Sequence, residues 1–375
     1  MAVASCAAGL VVGTVAAATP ASAAVSSYAH LTRGVSLWRD KFWAGGRIAR
    51  AVWLSADLAN HNLSLNAATA GNALNARYET VSTMARRGRA VGGVNADWFE
   101  WGNGTGSPRG GAVRDGRIYK TPQRNFDANL WVGPHGYAHI GRVQFAGRVT
   151  QGRNVSHGIY SVNTVQDALN GAITLVTPAL RTAQVRHSCM VVRGWWAPGA
   201  RVVTSVRHEW SFARLRPNHW ALVGCGSSGS WLLHNIHVHN NLAVSVGFAN
   251  GPLRTLVSGG RVLINKGHRY YDAGGEVLGA GGNPETFACV SRTGRFVNLG
   301  VVDGRSGLSA GVSYGQLTQY LLWRGCYSAM VFDGGGSTTL VARSSHERYA
   351  SVRNRTSDWG GPRHVADGVF IYATR

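Results

Sequence analysis

Four Asp-Gly pairs punctuate the chain: Asp115-Gly116, Asp303-Gly304, Asp333-Gly334 and Asp367-Gly368. Such a pair ordinarily makes a tight hairpin turn, because glycine accepts a positive φ without steric cost. Asp115 and Asp367 are read as turns of that kind. The other two close apolar runs. Asp303 follows Val297-Asn298-Leu299-Gly300-Val301-Val302 and precedes Arg305, whereas Asp333 follows Ala329-Met330-Val331-Phe332 and opens Gly334-Gly335-Gly336-Ser337-Thr338-Thr339. A strand that ends in a carboxylate holds that charge at a fixed place. Glycines let backbone N–H groups converge into a concave nest of donors, and Ser337, Thr338 and Thr339 add hydroxyls. Such a loop suits an anionic oxygen. A second strand end, Asn95-Ala96-Asp97-Trp98-Phe99-Glu100, sets polar groups between aromatic walls, and Trp98 and Trp101 are of a type that stacks on sugar faces.

Other site chemistries lack their patterns. G-K-[ST] is missing, so the glycine loop is not a P-loop. Gly226-Ser227-Ser228-Gly229 has the wrong spacing for a hydrolase nucleophile elbow. No C-x-x-C spacing suggests zinc. Strand alternation would place His237 and His239 on one face, but no carboxylate or cysteine accompanies them, so they are read as surface or core histidines. Neither a metal nor a cofactor is expected.

The elements that must position these groups are mostly strands. Short β-patterned runs lie at 90–94, 130–132, 173–176, 189–192, 201–206, 221–223, 242–247, 296–302, 329–332 and 368–372. A helix is expected over 72–87, with Leu74, Tyr78, Val81 and Ala85 on one face, Asn72 as N-cap and Gly88 as stop. A second, over 313–324, would pack through Leu317, Tyr320, Leu321 and Trp323 and end at Gly325. Residues 25–70 carry no strong signal. The expected class is α+β: mostly β mixed sheets with about three helices and one compact catalytic domain over 90–375, against which 24–89 packs.

Composition bounds the rest. The 375 residues are 45% hydrophobic with 13 Trp, 12 Tyr and 10 Phe, enough for a sizeable core. The 50 glycines show no three-residue period, which excludes collagen and fits many tight turns. Lys plus Arg number 38 against 17 Asp plus Glu, giving +21, and only Lys41, Lys120 and Lys266 are lysines. Two accounts are open: a genome that writes Arg for Lys, or an anionic partner attracted by a general positive field. Residues 1–23 read as a signal peptide, with an apolar run over 6–18, then Pro20 and the small-x-small site Ala21-Ser22-Ala23. Beyond them no apolar run approaches the ~20 residues of a membrane span. A secreted, extracellular protein would keep four cysteines in an oxidising compartment. Four allow three pairings, and nearness in sequence favours Cys189–Cys225 and Cys289–Cys326.

The stretch Phe332-Asp333-Gly334-Gly335-Gly336-Ser337-Thr338-Thr339-Leu340 resembles the D-G-G-G-S-[ST]-T hallmark of the phosphodiester glycosidases. Further pieces follow in that family's order: Val94-Asn95-Ala96-Asp97-Trp98-Phe99, Ser107-Pro108-Arg109-Gly110-Gly111, Leu175-Val176-Thr177-Pro178, Ser258-Gly259-Gly260 and Val301-Val302-Asp303-Gly304-Arg305. Two places depart from it. Asn283-Pro284-Glu285-Thr286 carries a carboxylate where the family usually has arginine, and Gly259-Gly260-Arg261 replaces G-G-P. The resemblance implies hydrolysis of a sugar phosphodiester, or a related anionic surface glycan, at the anomeric carbon. Asn95, Asp97, Asp303, Arg305 and the loop from Asp333 to Thr338 would form the site.

In that chemistry Asp333 first, or Asp303 second, would stabilise or attack an oxocarbenium-like centre. Asp97 or Glu100 would handle the proton. Asn95, Trp98, Arg305, Gly334, Gly335, Gly336, Ser337 and Thr338 would bind substrate, with loop N–H groups and Arg305 steadying a phosphate leaving group. A non-catalytic binder of anionic cell-wall polymers is the alternative. No H-N-H pattern or paired metal carboxylates indicate a nuclease or a specific nucleic-acid partner. Whichever holds, the positive field predicts that affinity for a teichoic-type polyanion falls steeply as salt rises, because exposed charges are screened within roughly 8–10 Å at physiological strength. A binding titration at low and high salt that gave one affinity would contradict it.

Overall fold

The runs that begin at Glu285 and end at Asp303 are buried along most of their length, as strands covered on both faces must be. They pair antiparallel, Glu285 opposite Val302 and Val290 opposite Val297. The computed structural model describes residues 24–374 apart from 101–103, 170, 198–199, 213 and 271–281. The expected signal peptide and Trp101 lie outside the described residues.

Around that pair stands an eight-stranded antiparallel sheet. Its order is Ala24–Thr32, Val35–Ala44, Arg47–Asp57, Phe296–Asp303, Glu285–Val290, Ser328–Val331, Arg261–Asn265 and His268–Arg269. A five-stranded sheet lies across one face: Ser351–Val352, Leu340–Ala342, Gly92–Asn95, Asp367–Ala373 and Leu63–Thr69. Between them Leu54, Leu299, Val301 and Met330 pack on Val94, Leu340, Val369 and Ile371. On the far face, helix Tyr314–Trp323 sets Leu317, Tyr320 and Leu321 against Phe42, Phe287 and Val331. Two further large sheets and two small two-stranded ones make up the rest of the described β structure. Arg117–Lys120, Ala112–Arg114, Thr255–Ser258, Asn129–Val132 and Ala138–Ile140 form one; the other, seven-stranded, encloses a core of Val149, Ile159, Trp220 and Leu222.

The class is therefore mostly β, with α-helices at Val81–Gly88, Val165–Leu169, Ser227–Asn235 and Tyr314–Trp323 among the described residues. None is long and apolar enough to cross a membrane. Both expected cysteine pairs are disulfides. Cys289–Cys326 ties a central strand to the chain leaving helix Tyr314–Trp323, and Cys189–Cys225 links strand Ala183–Ala197 to the end of its neighbour His219–Gly224, just before helix Ser227–Asn235.

Several expectations fail for identifiable reasons. The helix over 72–87 is only Val81–Gly88, because Asn72 and Asn75 take φ of 51° and 52°, which breaks a helical run. Thr80 caps it instead, its Oγ1 accepting from Thr83 N at 3.2 Å. Leu74 is buried, but in another cluster beside Leu180. Trp323 is 43% exposed and does not pack the second helix; that helix starts at a Ser313–Gln316 capping box, with Ser313 N donating to Gln316 Oε1 at 2.8 Å. The featureless stretch 25–70 holds four strands, two of them in the middle of sheets. His237 and His239 lie in a turn after helix Ser227–Asn235, where His239 has φ of 70°, so strand alternation does not apply to them.

Helix Tyr314–Trp323 thus has two anchors that can be removed separately. Replacing Cys289 and Cys326 together by Ala should cost about 2–5 kcal/mol of stability, and Ser313→Ala about 1 kcal/mol. Denaturant unfolding at neutral pH measures both, and a double cysteine variant as stable as the parent would show that the crosslink does not constrain this helix.

Candidate functional site

Antiparallel pairing brings strand ends and strand starts together at one edge of the two packed sheets. Strand Gly92–Asn95 ends beside the start of Asp367–Ala373, with Gly368 opposite Asn95. Strand Ser328–Val331 ends beside the start of Glu285–Val290. Phe332 N donates to Thr286 O at 2.8 Å, and Asp333 N to Ala96 O at 2.8 Å, which joins the sheets at this edge. Asp97, Asp333, Asp367 and Glu285 consequently converge from four separate segments, and electrostatic interactions link them.

Their environments differ. Asp97 is buried, with Trp98 N donating to Oδ1 at 2.8 Å and Gly110 N donating to Oδ2. Burial raises its carboxyl to about 7, the charge of Asp333 adding to the effect, while the two N–H groups and Lys120 oppose it. Asp367 is fully buried; its Oδ1 accepts from Asp97 N at 2.9 Å, and its Oδ2 has no hydrogen-bond partner among the described residues. Burial, then the charges of Asp97 and Asp333, push it well above the ordinary carboxylate range. Asp333 is only half-buried. Burial raises it to about 6 against the hydrogen bonds of Ser337 and Gly334 and the charges of Arg363 and Arg109. Glu285 is raised further, to about 8, first by burial and then by Asp333, with Arg305 opposing. Lys120 Nζ donates to Pro108 O at 2.6 Å and Arg109 O at 3.1 Å, and desolvation lowers its own pKa despite the carboxylates it faces.

The glycine loop works differently from a donor nest. Gly335 N donates to Pro284 O, Ser337 N to Gly334 O, Thr338 N to Gly335 O and Thr339 N to Asn95 Oδ1, so these groups are already engaged within the protein. The glycines instead let side chains approach the backbone. A Cβ at Gly336 would fall 2.0 Å from Arg363 Nη2, and one at Gly335, whose φ is 62°, would lie 3.3 Å from Arg305 Nη2. Ser337 and Thr338, expected to bind substrate, are buried behind the loop. Ser337 serves Asp333 and accepts from Arg363 Nη1 at 3.5 Å.

Asn95, also expected to bind substrate, is engaged within the protein. It is 1% exposed and acts as a clamp, its Nδ2 donating to Asp333 O at 2.7 Å and its Oδ1 accepting from Thr286 Oγ1 at 2.9 Å. Asp303 is buried nearby, and its Oδ1 accepts from Arg355 N at 3.0 Å and Asn354 Nδ2 at 3.3 Å; burial raises its carboxyl. Asn354 Nδ2 also reaches Thr338 O at 3.2 Å, so Asp303 braces the loop's far end. Glu100 is exposed, and its carbonyl accepts from Tyr78 Oη. Trp98 lies at the edge, 37% exposed, close enough to Gly260 that a Cβ there would be 3.1 Å from the indole. Asp115 is a turn residue as expected, with Asp115 and Gly116 at φ of 49° and 75°. Asp367 is not: it opens a strand inside the carboxylate cluster. Among the described residues no three His, Cys, Asp or Glu side chains group as metal ligands.

Asp367, Lys120, Arg109 and Arg363 were the site residues not singled out for chemistry. Lys120 had a signal, as one of three lysines in a chain that otherwise writes arginine. Arg109 sat within a quoted motif, whereas Asp367 is placed by the final strand's pairing and Arg363 directly precedes His364–Val365, which pairs with Glu79–Thr80.

Residues 216–372 match the phosphodiester glycosidase family model, and that segment holds Glu285, Asp303, Arg305, Asp333, Arg363 and Asp367. Asp97, Arg109 and Lys120 lie before it. No curated protein matches the chain. Among solved structures, a hypothetical protein from Synechocystis is similar at 19% identity and a TM-score of 0.73, over 92% of this chain and 63% of that one. A protein from Burkholderia pseudomallei K96243, described as exported, is similar at 22% identity and a TM-score of 0.67, over 87% of this chain and 74% of that one. The catalytic domain of zebrafish N-acetylglucosamine-1-phosphodiester alpha-N-acetylglucosaminidase is similar at 14% identity over 95% of this chain and 89% of that one, but its TM-score of 0.49 carries no argument. The first two show a shared fold, and the chain spans 63% of the Synechocystis protein's length.

The raised carboxyls have a consequence for stability. A carboxyl whose pKa is higher folded than unfolded binds protons preferentially in the folded state, so its contribution is full below the unfolded value near 4 and is lost as pH rises through the folded value. With Asp333 at about 6, Asp97 at about 7, Glu285 at about 8 and Asp367 well raised, the melting temperature should fall from pH 5 to pH 9. Asp367→Asn keeps an acceptor for Asp97 N and cannot ionise, so it should flatten that decline. Calorimetry across this range checks it, and a parent protein with no decline would show that the cluster is not desolvated.

Proposed function

We propose that the protein is a secreted hydrolase of the phosphodiester-glycosidase type, cleaving the bond at the anomeric carbon of a sugar phosphodiester or a related anionic cell-surface glycan. The match over residues 216–372 supports the class of reaction. The observation that carries it at this site is the setting of Asp333: a half-open carboxylate in front of buried Asp97, flanked by Arg305, Arg363 and Arg109. Environments that separate neighbouring carboxyl pKa values are how glycosidases divide roles between two carboxylates.

In this scheme the anomeric C–O bond breaks and its electron pair leaves on the phosphate oxygen. A phosphodiester is already a good leaving group, so neutralisation by the arginines matters more than protonation. Asp333, largely ionised at neutral pH, stabilises or attacks the electron-poor carbon. Water supplies the new hydroxyl, and Asp97 accepts its proton. Trp98 offers an aromatic edge for the sugar. Asp303 supports the loop rather than touching the substrate. Export fits the apolar N-terminal segment, the two disulfides and the Burkholderia protein's description.

The test is release of reducing sugar from sugar 1-phosphodiesters and teichoic-type polymers by the purified protein. Turnover should rise with pH through about 6 to 7 as first Asp333 and then Asp97 ionises. Asp333→Asn should slow it by roughly two to four decades, equivalent to about 3–5 kcal/mol of transition-state stabilisation. Asp303→Asn, which keeps its acceptor oxygen, should cost less, and Asp115→Asn should cost almost nothing. An Asp333→Asn protein that stays active sinks the assignment, and saturable binding without any product favours a non-catalytic binder.

A further inference from the structure

The seven-stranded sheet carries a second opening that shares no residue with the carboxylate cluster. Its two edge strands, Ala200–Phe212 and Leu242–Phe248, are drawn together at one end. Val203 N donates to Asn240 O at 3.0 Å, His239 N to Val203 O at 3.0 Å and Arg201 N to Asn241 Oδ1 at 2.9 Å. This seam curls the sheet toward a barrel, and the mouths of barrels are places where ligand sites form. An open cavity of about 460 Å³ lies at the seam, lined by Trp196, Arg201, Asn241, Leu242 and Thr150 among others. Its size is that of a small-molecule site.

Arg201 is the unusual member. Cross-strand pairing sets it opposite Trp196, and its guanidinium carbon lies 4.4 Å from the centroid of that ring. Stacking holds the planar group in one orientation. Its Nε is buried without a hydrogen-bond partner among the described residues, and desolvation lowers its pKa with no carboxylate acting on it. The sequence gives the reason. Strands Ala183–Ala197 and Ala200–Phe212 contain one acidic residue, Glu209, and Arg193 and Arg207 share it. A desolvated cation without a counter-charge is costly, so an anionic oxygen that enters the cavity is stabilised there.

The cavity is also reachable. Trp196 is 36% exposed, and Asn241 is exposed. Asn241 commits its Oδ1 to Arg201 N, which leaves its Nδ2 free to donate, and Thr150 Oγ1 has no partner among the described residues. An inorganic anion would use the guanidinium alone. The aromatic ring and two neutral hydrogen-bonding groups suit a ligand that has hydroxyls and C–H faces as well as a charge.

We propose that this cavity binds an anionic sugar unit, Arg201 taking its carboxylate or phosphate oxygens, Trp196 its C–H face, and Asn241 and Thr150 its hydroxyls. The site is separate from the one around Asp333 and does not depend on whether that one is catalytic. On a polymer it holds an anionic glycan to the protein at a point away from the carboxylate cluster.

Calorimetric titration of the full chain with methyl glucuronide, glucose 6-phosphate, glucose and adenosine monophosphate tests this without any turnover. At least one charged sugar should bind with a dissociation constant of about 1 mM or lower, and the tighter of the two identifies the anion. Arg201→Gln and Trp196→Ala should each weaken that binding by at least about tenfold, as loss of a charge-assisted hydrogen bond does, while Asp333→Asn leaves it unchanged. Removing one charge from +21 hardly alters a general field, so a loss in Arg201→Gln separates a site from non-specific attraction. Circular dichroism verifies the folds, and Arg201→Gln decides the matter alone if Trp196→Ala does not fold. The proposal is overturned if neither charged sugar binds, if glucose binds as tightly as they do, or if the nucleotide binds more tightly than either. It is also overturned if Arg201→Gln binds like the parent, or if Asp333→Asn abolishes the binding. A protein that binds the charged sugar through Arg201 and releases no sugar from any diester would leave this inference standing and remove the hydrolase.

Discussion

The side chain of Asn95 is the joint on which the site depends. Its amide donates to the carbonyl of Asp333 and its oxygen accepts from Thr286 Oγ1 and Thr339 N, at 2.7, 2.9 and 3.0 Å. Asn95 belongs to the five-stranded sheet, Thr286 to the eight-stranded one, and Asp333 and Thr339 bracket the loop between them. One buried amide therefore sets the spacing of two sheet edges and the position of the carboxylate between them. Its geometry is strongly enforced, because breaking any of these bonds would leave a buried polar group unsatisfied at about 1–3 kcal/mol.

That joint explains how a protein of net charge +21 carries carboxyl groups at its centre. Several carboxylates away from the centre are matched directly: Asp57 by Arg295, Asp127 by Arg142, Glu209 by Arg193 and Arg207, Glu347 by Arg353. The arginines hold Asp57, Asp127 and Glu209 below the usual carboxylate range, and Glu347 is lowered to about 2 first by the Ser344 N–H, with Arg353 adding its charge. The central carboxyls shift the other way, because desolvation exceeds what the nearby cations return. Arg363 illustrates the restraint. Its Nε and Nη2 donate to Asp358 at 2.7 and 3.0 Å, which holds the guanidinium in place while its charge acts on Asp333. Cations held in place by second carboxylates stabilise incoming anionic oxygen without neutralising the reacting groups beforehand.

What sequence revealed follows from how local each cause is. Asp303 and Asp333 stood out because each ends an apolar run, and strand-end position is a local property. Helix Tyr314–Trp323 was legible for the same reason, through its apolar face and its stop at Gly325. Asp367 was not, since an Asp-Gly pair before an apolar run has the same local pattern whether it makes a hairpin or opens a strand. Only pairing with Thr69 on one side and the nearness of Asp97 on the other distinguish the two. Within 25–70, Arg47–Asp57 and Leu63–Thr69 were obscured because each has a partner more than 200 residues away, in Phe296–Asp303 and Asp367–Ala373. The helix over 72–87 was overextended because its first half has helical spacing, yet Asn72 and Asn75 adopt positive φ to reach the bridge at Leu74.

The glycine run shows how a motif can be legible while its mechanism is not. Three glycines beside a carboxylate suggested converging N–H donors, and the same three positions are required for another reason. At Gly334 a side chain would meet Glu285, at Gly335 it would crowd Arg305, and at Gly336 it would displace Arg363. The loop is thin so that one carboxyl and two guanidinium groups can close around Asp333 from three directions. Each of those three comes from a different segment, which makes the electrostatics of Asp333 a property of the assembled fold. The loop alone, in an unfolded chain, would have an ordinary aspartate. Folding converts it into a half-open carboxylate whose charge is opposed by burial and held by cations, and that contrast is what the sheets are arranged to maintain.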